Sequence, residues 1–148
     1  MSKRVVITGV GVITPLGNDI ESTWTKLVNG ISGIEPISKF DTEKFSVKVA
    51  GEVKDFQPEK FIDKKEIRRM GRYTQFAVAA SKMAVEDAGL KIGENVDPER
   101  IGVWIGSGIG GIAEFEEQHQ KFLEKGPRRV NPFTVPLLIP DMASGRVS

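Results

Sequence analysis

Two runs of almost uninterrupted apolar residues predict buried β-strands. Residues 4–14 read RVVITGVGVIT, and residues 100–108 read RIGVWIGSG. Valine and isoleucine supply most of the apolar side chains, and apolar positions do not alternate with polar ones. This pattern is typical of strands that are covered on both faces. We therefore predict two strands inside the molecule and a third, shorter one within residues 45–53.

Apolar residues at helical spacing predict three longer helices. The first begins at a capping residue, Asn18, and ends at Gly30. The second, residues 73–90, is rich in alanine and poor in charge, so we expect it to pack tightly inside the molecule. The third, residues 112–126, is amphipathic. The positions expected to face inward are Ile20, Trp24, Leu27 and Val28 in the first helix and Ile112, Phe115, Phe122 and Leu123 in the third.

The order of these elements predicts an α/β fold. A strand is followed by a helix, a second helix, another strand and a third helix, and the last residues resemble the beginning of a further helix. Such alternation is typical of a parallel sheet with helical crossovers. A chain of 148 residues is long enough for one domain with its own core, so we expect residues 1–148 to form one unit.

Composition excludes several kinds of site. The chain is 39% hydrophobic and 28% charged, and its net charge of +1 provides no global field that would attract nucleic acid. It has no cysteine, and its one histidine is His119. Disulfides, thiolate zinc sites and a Cys/His nucleophilic pair are therefore excluded within this chain, and we predict no metal and no cofactor.

The apolar N-terminal run predicts neither a signal peptide nor a membrane span. It follows Lys3 and Arg4, but it contains Gly9, Gly11 and Pro15, and no cleavage site follows it. No run reaches the roughly 18 apolar residues that a membrane-spanning helix needs. We therefore predict a cytoplasmic protein without membrane contact.

Glycine-rich stretches follow both predicted strands. The first, residues 8–11, lacks the third glycine that a dinucleotide site places at the start of a helix. The second, GSGIGG at residues 106–111, has the dinucleotide spacing, but the helix after it is acidic and would repel a pyrophosphate. Three interpretations remain open here: a dinucleotide cradle, a sheet end that crosses closely under a helix, and a hydrophobic slot gated by Ile109.

Four segments together resemble a known family. They are residues 4–18, 63–70 (DKKEIRRM), 101–111 (IGVWIGSGIGG) and 125–145 (KGPRRVNPFTVPLLIPDMASG). They are similar, in order along the whole chain, to the N-terminal part of the elongating β-ketoacyl-[acyl-carrier-protein] synthases of bacterial type II fatty acid synthesis, particularly the synthase II subclass. The resemblance implies the thiolase-like α/β fold with αβαβα layers. This chain would be its incomplete N-terminal portion.

The resemblance also implies an acyltransferase activity. Members of the family move an acyl chain from acyl carrier protein to a cysteine, and malonyl-acyl carrier protein then loses carbon dioxide and attacks the thioester. The cysteine and two catalytic histidines would lie beyond Ser148, so we assign no catalytic residue and expect this chain alone to be inactive. His119 matches none of these positions and is expected at the surface. The family works as a homodimer without a cofactor.

Two groups of binding residues follow from the resemblance. Ile109 and Gly108 correspond to the gate of the acyl pocket. Phe133 and Thr134 correspond to the segment that reaches toward the partner's pocket, although core packing is an alternative for Phe133. Many members have a second aromatic residue at the position of Thr134, so we expect a wider pocket end. The residues expected to dock the acidic carrier protein are Lys64, Lys65, Arg68, Arg69, Arg128 and Arg129.

Other interpretations stay open. The cations from Lys64 to Arg72 would share one helix face, and such a face is often simply solvated. Nucleic acid binding is disfavoured because no aromatic residues are interleaved with these charges. A non-catalytic ketosynthase-like partner and a dinucleotide-binding oxidoreductase remain as alternative functions.

Overall fold

A computed structural model describes residues 3–148 of the chain. Within this range it contains six α-helices, two β-strands and three short 3-10 turns. The helices are α1 (Ile20–Val28), α2 (Lys64–Ile67), α3 (Arg72–Asp87), α4 (Ile112–Lys125), α5 (Thr134–Leu138) and α6 (Met142–Val147). The strands are β1 (Ile34–Pro36) and β2 (Val49–Gly51), and the 3-10 turns are Pro58–Lys60, Pro98–Arg100 and Pro127–Arg129.

Helix α3 is the element around which the chain packs. Its interior contains neither glycine nor proline, and it buries Thr74, Val78 and Ala79. It packs against α6, while α4 packs against α5. Gly89 has a φ of +62°, in the left-handed region that lets the chain leave a helix. The prediction of a tightly packed helix is confirmed, as is the prediction that the last residues begin another helix.

The N-terminal segment lies directly on α3. A Cβ atom on Gly9 would be 2.3 Å from the carbonyl oxygen of Ala84, and one on Gly11 would be 1.9 Å from that of Ala80. The glycines of the first stretch therefore allow backbone to meet backbone. This close packing accounts for them without a nucleotide.

The other side of this segment is open, and it is not a strand. Val5 and Ile7 are 91% and 88% exposed, and Trp104 in the second predicted strand is 98% exposed. Within residues 3–148 the strands found are β1 and β2, which pair antiparallel with Ile34 opposite Gly51. The predictions of two strands covered on both faces and of a parallel sheet within this chain are wrong, because no neighbouring strand in the described range pairs with either run. The short strand predicted within residues 45–53 is confirmed by β2.

Helix α1 is capped by Asp19 and not by Asn18. The Asp19 carboxylate accepts a hydrogen bond from the backbone N–H of Ser22 at 2.7 Å. This hydrogen bond lowers the pKa of Asp19 below its usual 3.8, because it favours the charged form. Asn18 instead donates through Nδ2 to the carbonyl of Lys54 at 2.8 Å. The predicted cap is one residue too early. The capping side chain must reach the N–H of the third residue of the helix, and Asp19 is the residue that reaches it.

The predicted apolar faces of α1 and α4 are open in this chain. All eight of their inward-facing positions are between 44% and 68% exposed, namely Ile20, Trp24, Leu27, Val28, Ile112, Phe115, Phe122 and Leu123. The buried residue of α4 is a polar one, Gln118. An amphipathic pattern shows which face is apolar, but it does not show that the element covering that face belongs to the same chain.

The buried core is small and surrounds α3. Its apolar members are Phe56, Ile62, Val78, Ala79, Leu137 and Ala143. Tyr73 of α3 donates its hydroxyl hydrogen to the carbonyl of Ile139, which joins the C-terminal segment to the helix. No helix among residues 3–148 is both long enough and apolar enough to cross a membrane.

Candidate functional site

The first half of the loop at residues 106–111 borders open space. A Cβ atom on Gly106 or Gly108 would meet no other atom within 4 Å. Ile109 is 63% exposed, and it is the only side chain of this loop larger than serine. The backbone beside Ile109 at Gly106 and Gly108 is therefore not covered by other residues of the described chain.

The second half of the loop is fixed against α5. Gly110 has a φ of +78°, and a Cβ atom there would lie 2.2 Å from the carbonyl oxygen of Leu138. Gly111 donates its N–H to the same carbonyl at 2.9 Å, and Gly110 donates its N–H to Ser107 Oγ at 3.0 Å. Close crossing by a helix therefore explains the second half of the loop, but not the first.

These contacts disfavour a dinucleotide at the loop. A pyrophosphate binds to free backbone N–H groups at a helix N-terminus. The N–H groups of Gly110 and Gly111 already have partners within the chain. The carboxylate of Glu114 also lies in the first turn of α4, where it accepts the backbone N–H of Arg72 at 2.7 Å. Its negative charge would repel a phosphate.

A cavity of about 420 Å³ lies beside the loop. It is lined by residues 11–14 of the N-terminal segment, by Tyr73, Phe76 and Ala77 of α3, and by residues 105–107. Most of these side chains are apolar or small. The cavity was not predicted from the sequence, although the alanines of α3 at helical spacing are the signal that could have indicated it.

Phe133 and Thr134 are held in a hydrogen-bonded turn. Asn131 Oδ1 accepts the backbone N–H of Phe133 at 2.9 Å, and the Asn131 carbonyl accepts the backbone N–H of Thr134 at 3.0 Å and its hydroxyl at 2.6 Å. Phe133 is 38% exposed within the described chain, and core packing stays an alternative for it. Asn131 was missed in the sequence, but Asn followed by Pro is a turn signal that could have found it.

The basic residues around α2 do not share one helix face. Helix α2 ends at Ile67, and Gly71 separates it from α3. Arg72 begins α3, and its guanidinium lies 5.0 Å from the centre of the Phe76 ring. The prediction that the cations share one helix face is wrong because the chain turns after Ile67. Lys64, Lys65, Arg68 and Arg69 are all exposed on α2 and the turn that follows it.

Arg69 connects the expected docking surface to the expected pocket. Its guanidinium carbon lies 5.5 Å from the centre of the Phe133 ring. Its Nη1 atom lies 3.0 Å from Glu66, and the second oxygen of Glu66 lies 3.1 Å from Arg146 of α6. Half-exposed contacts of this kind stabilise weakly, by about 1 kcal/mol or less. They nevertheless bring the two predicted groups of residues side by side.

A second basic group follows α4. Arg128 and Arg129 are exposed in the 3-10 turn Pro127–Arg129. Arg129 lines a cavity of about 640 Å³ together with Lys121 and Lys125. These two lysines were not predicted as part of the site, although their spacing of four residues places them on the same helix face.

The one histidine of the chain lies at the surface. His119 is exposed and stacks on Phe115 with 6.0 Å between the ring centres, which confirms its expected place at the surface. Residues 3–148 contain no group of three or more histidine, cysteine or carboxylate side chains that could hold a metal ion.

Comparison with known proteins identifies the family. The family model described as "Beta-ketoacyl synthase, N-terminal domain" matches residues 2–148. This chain belongs to the β-ketoacyl synthase family. Its 3-oxoacyl-[acyl-carrier-protein] synthase 2 relative in Staphylococcus aureus is 57% identical over 147 residues, which are 99% of this chain and 35% of the relative. The enzyme of that name in Synechocystis sp. is 48% identical over 97% of this chain and 34% of the relative.

Solved structures confirm the fold class. The structure of the ishigamide ketosynthase/chain length factor matches with a TM-score of 0.78 and 33% identity, over 96% of this chain and 35% of that one. The α/β thiolase-like fold predicted from the resemblance is thereby confirmed. The chain spans about a third of the length of the relatives it matches.

In this β-ketoacyl synthase chain, helix α5 lies between the two pairs of residues that the sequence predicts for the acyl pocket. Phe133 and Thr134 are at its N-terminal end, and the loop that carries Gly108 and Ile109 is bonded to Leu138 near its C-terminal end. Because both groups depend on one short helix, a shift of α5 would move them together.

Proposed function

We propose that this chain is the N-terminal part of a 3-oxoacyl-[acyl-carrier-protein] synthase that elongates acyl chains in fatty acid synthesis. In this reaction, an acyl group passes from carrier protein to an enzyme thiolate. Malonyl-acyl carrier protein then loses carbon dioxide, and the resulting carbanion attacks the thioester carbonyl and releases the thiolate. The cysteine and two histidines required are placed beyond Ser148. The observation that carries the proposal is the similarity to 3-oxoacyl-[acyl-carrier-protein] synthase 2 over 99% of the chain.

The proposal assigns Ile109 and Gly108 to the gate of the acyl pocket. Gly106 and Gly108 have open space where side chains would stand, so a thioester can pass close to the backbone. Ile109 is then the one bulky side chain that decides which acyl chain enters. Phe133 and Thr134 are assigned to the pocket end of the partner subunit in a homodimer, and the exposure of Phe133 supports this assignment.

The proposal assigns the two basic groups to carrier-protein docking. An acidic carrier protein would meet Lys64, Lys65, Arg68, Arg69, Arg128 and Arg129, all of which are exposed. Exposed charges of one sign raise the rate of encounter with an oppositely charged partner, and salt screens them. Lys121 and Lys125 extend the same surface along α4.

Arg68→Glu is expected to lower kcat/KM for acyl carrier protein about tenfold at low salt, with a defect that shrinks as salt is added. Arg68 is exposed, and among residues 3–148 it forms no ion pair, so its substitution should not disturb the fold. The measurement is the initial rate of condensation against carrier-protein concentration at several salt concentrations. Lys44→Glu makes the same change of charge in the loop before β2 and should have little effect. Equal defects in both variants would contradict the docking role.

The polypeptide that carries this sequence provides the test of the catalytic proposal. In a polypeptide that continues beyond Ser148, we expect a cysteine that the acyl primer acylates, and formation of 3-oxoacyl-acyl carrier protein with release of carbon dioxide. A 148-residue polypeptide alone should form no product. A longer polypeptide that neither becomes acylated nor forms product would overturn the catalytic proposal.

A non-catalytic chain-length subunit is the second candidate. It is favoured by the structural match to a ketosynthase/chain length factor, although the synthase 2 relatives are more similar in sequence. The two candidates differ in whether the longer polypeptide contains a reactive cysteine. A longer polypeptide without a reactive cysteine, which stimulates or alters product length only in the presence of an active synthase, would support the second candidate.

A further inference from the structure

One buried amide of α4 supports the turn before α5. Gln118 is 5% exposed, and it is the buried residue of its helix. Its Oε1 atom accepts the backbone N–H of Asn131 at 2.9 Å. Burial of a polar side chain costs free energy unless a hydrogen bond compensates. This hydrogen bond therefore favours one position of Asn131 relative to α4.

Asn131 in turn forms hydrogen bonds with both Phe133 and Thr134. Its side-chain oxygen holds the backbone N–H of Phe133, and its carbonyl oxygen holds the backbone N–H and the hydroxyl of Thr134. Pro132 lies between Asn131 and Phe133, and its ring fixes its backbone angle φ. The backbone N–H, carbonyl and side chain of Asn131 are all engaged, so the turn has little freedom to change shape.

The neighbours of Gln118 on α4 are engaged elsewhere. Glu117 pairs with Lys121, His119 stacks on Phe115, and Glu114 accepts the N–H of Arg72. Among the described hydrogen bonds, the one that Gln118 accepts from Asn131 is the side-chain link between α4 and this turn. Its loss would leave the part-buried N–H of Asn131 without this partner, and a shift of the turn would let the N–H reach water or another acceptor.

We propose that Gln118 is a positioning residue that sets the place of Phe133 and Thr134, and through them the acyl chain length that the enzyme prefers. This inference rests on the proposed synthase function. Gln118 does not touch the substrate in this proposal; it acts through Asn131. A shift of the turn lengthens or shortens the pocket end, and about two methylene groups of difference in buried chain correspond to a roughly tenfold change in relative rate.

The test compares Gln118→Met with Gln118→Glu in the longer polypeptide. The two substitutions have nearly the same length and volume, but only glutamate retains an oxygen that accepts the N–H of Asn131. The measurement is kcat/KM for tetradecanoyl and hexanoyl primers. We expect the methionine variant to change the ratio of these two values about tenfold and the glutamate variant to retain the wild-type ratio. A wild-type ratio in the methionine variant, or equal changes in both, would overturn the proposal.

Asn131→Ala and Asn131→Asp form a second pair in case Gln118→Met does not fold. Alanine removes the acceptor for the N–H of Phe133, whereas aspartate retains it. The ratio of rates should change in the first and not in the second, and equal ratios in the two would overturn the proposal. A wild-type polypeptide that condenses neither primer would overturn the proposed synthase function itself, which separates the two failures.

Discussion

Ile109→Phe in the longer polypeptide is expected to lower kcat/KM for tetradecanoyl primers at least about tenfold more than for hexanoyl primers. The side chain at this position is 63% exposed, and Gly106 and Gly108 on its N-terminal side have open space where side chains would stand. In the proposed gate role of Ile109, a phenyl ring would fill space that a long acyl chain passes through and that a short chain leaves unused. Overfilling a site of this kind costs about 1–3 kcal/mol, which corresponds to roughly 5- to 150-fold in rate.

The matched control for this gate is Ile109→Val. Valine keeps the branched shape and removes one methylene, so it should leave the ratio of long to short primers nearly unchanged or shift it toward long ones. Circular dichroism and thermal unfolding of both variants would show that the fold is intact. Equal slowing of both primers by Ile109→Phe would show that the position does not select by chain length.

Gly11→Ala is expected to lower the free energy of unfolding by about 3 kcal/mol or more. The new Cβ atom would lie 1.9 Å from the carbonyl oxygen of Ala80, well inside the contact distance. The oxygen belongs to the backbone of α3 and the Cβ position is fixed by the backbone of residue 11, so neither atom can simply rotate away. The N-terminal segment would have to move off α3. Because Gly11 also lines the cavity beside the loop, that movement would change the cavity as well.

Gly145→Ala provides the control for Gly11→Ala on the same polypeptide. A Cβ atom on Gly145 would meet nothing within 4 Å, and the residue lies inside α6, where alanine is the better helix former. Urea unfolding should show a lower midpoint for Gly11→Ala and an equal or higher one for Gly145→Ala. Similar midpoints for the two variants would contradict the close packing of the N-terminal segment on α3.

The sequence predicted the longer helices well because helix signals are local. The spacing of apolar residues, the alanine content of residues 73–90 and Gly89 at the end of α3 all act within a few positions of the chain. The resemblance to β-ketoacyl synthases rests on short motifs in order, and it led to the family that the comparison confirmed. The roles of Ile109, Phe133 and the basic residues stay predictions.

Strand pairing and burial depended on contacts that local patterns do not specify. Residues 4–14 have the composition of a buried strand, yet in the described chain they lie on α3 with one side open, because pairing requires a neighbouring strand. Trp104 and the apolar faces of α1 and α4 are likewise exposed because no element of the described chain covers them. An apolar pattern records that a surface is suited to burial, and only the partner decides whether it is buried.

At the candidate site, too, the sequence shows some features and only the packing determines others. Glycines, cations and a gate-like isoleucine are visible in the sequence, because their chemistry belongs to the residues themselves. The link of Arg69 to Phe133 and the support of Asn131 by Gln118 are not visible there. They join residues that are 64 and 13 positions apart, and such distant pairs meet only when the helices have packed. The amino acids define which groups are available for binding, and the packing of α4 and α5 determines how those groups are arranged.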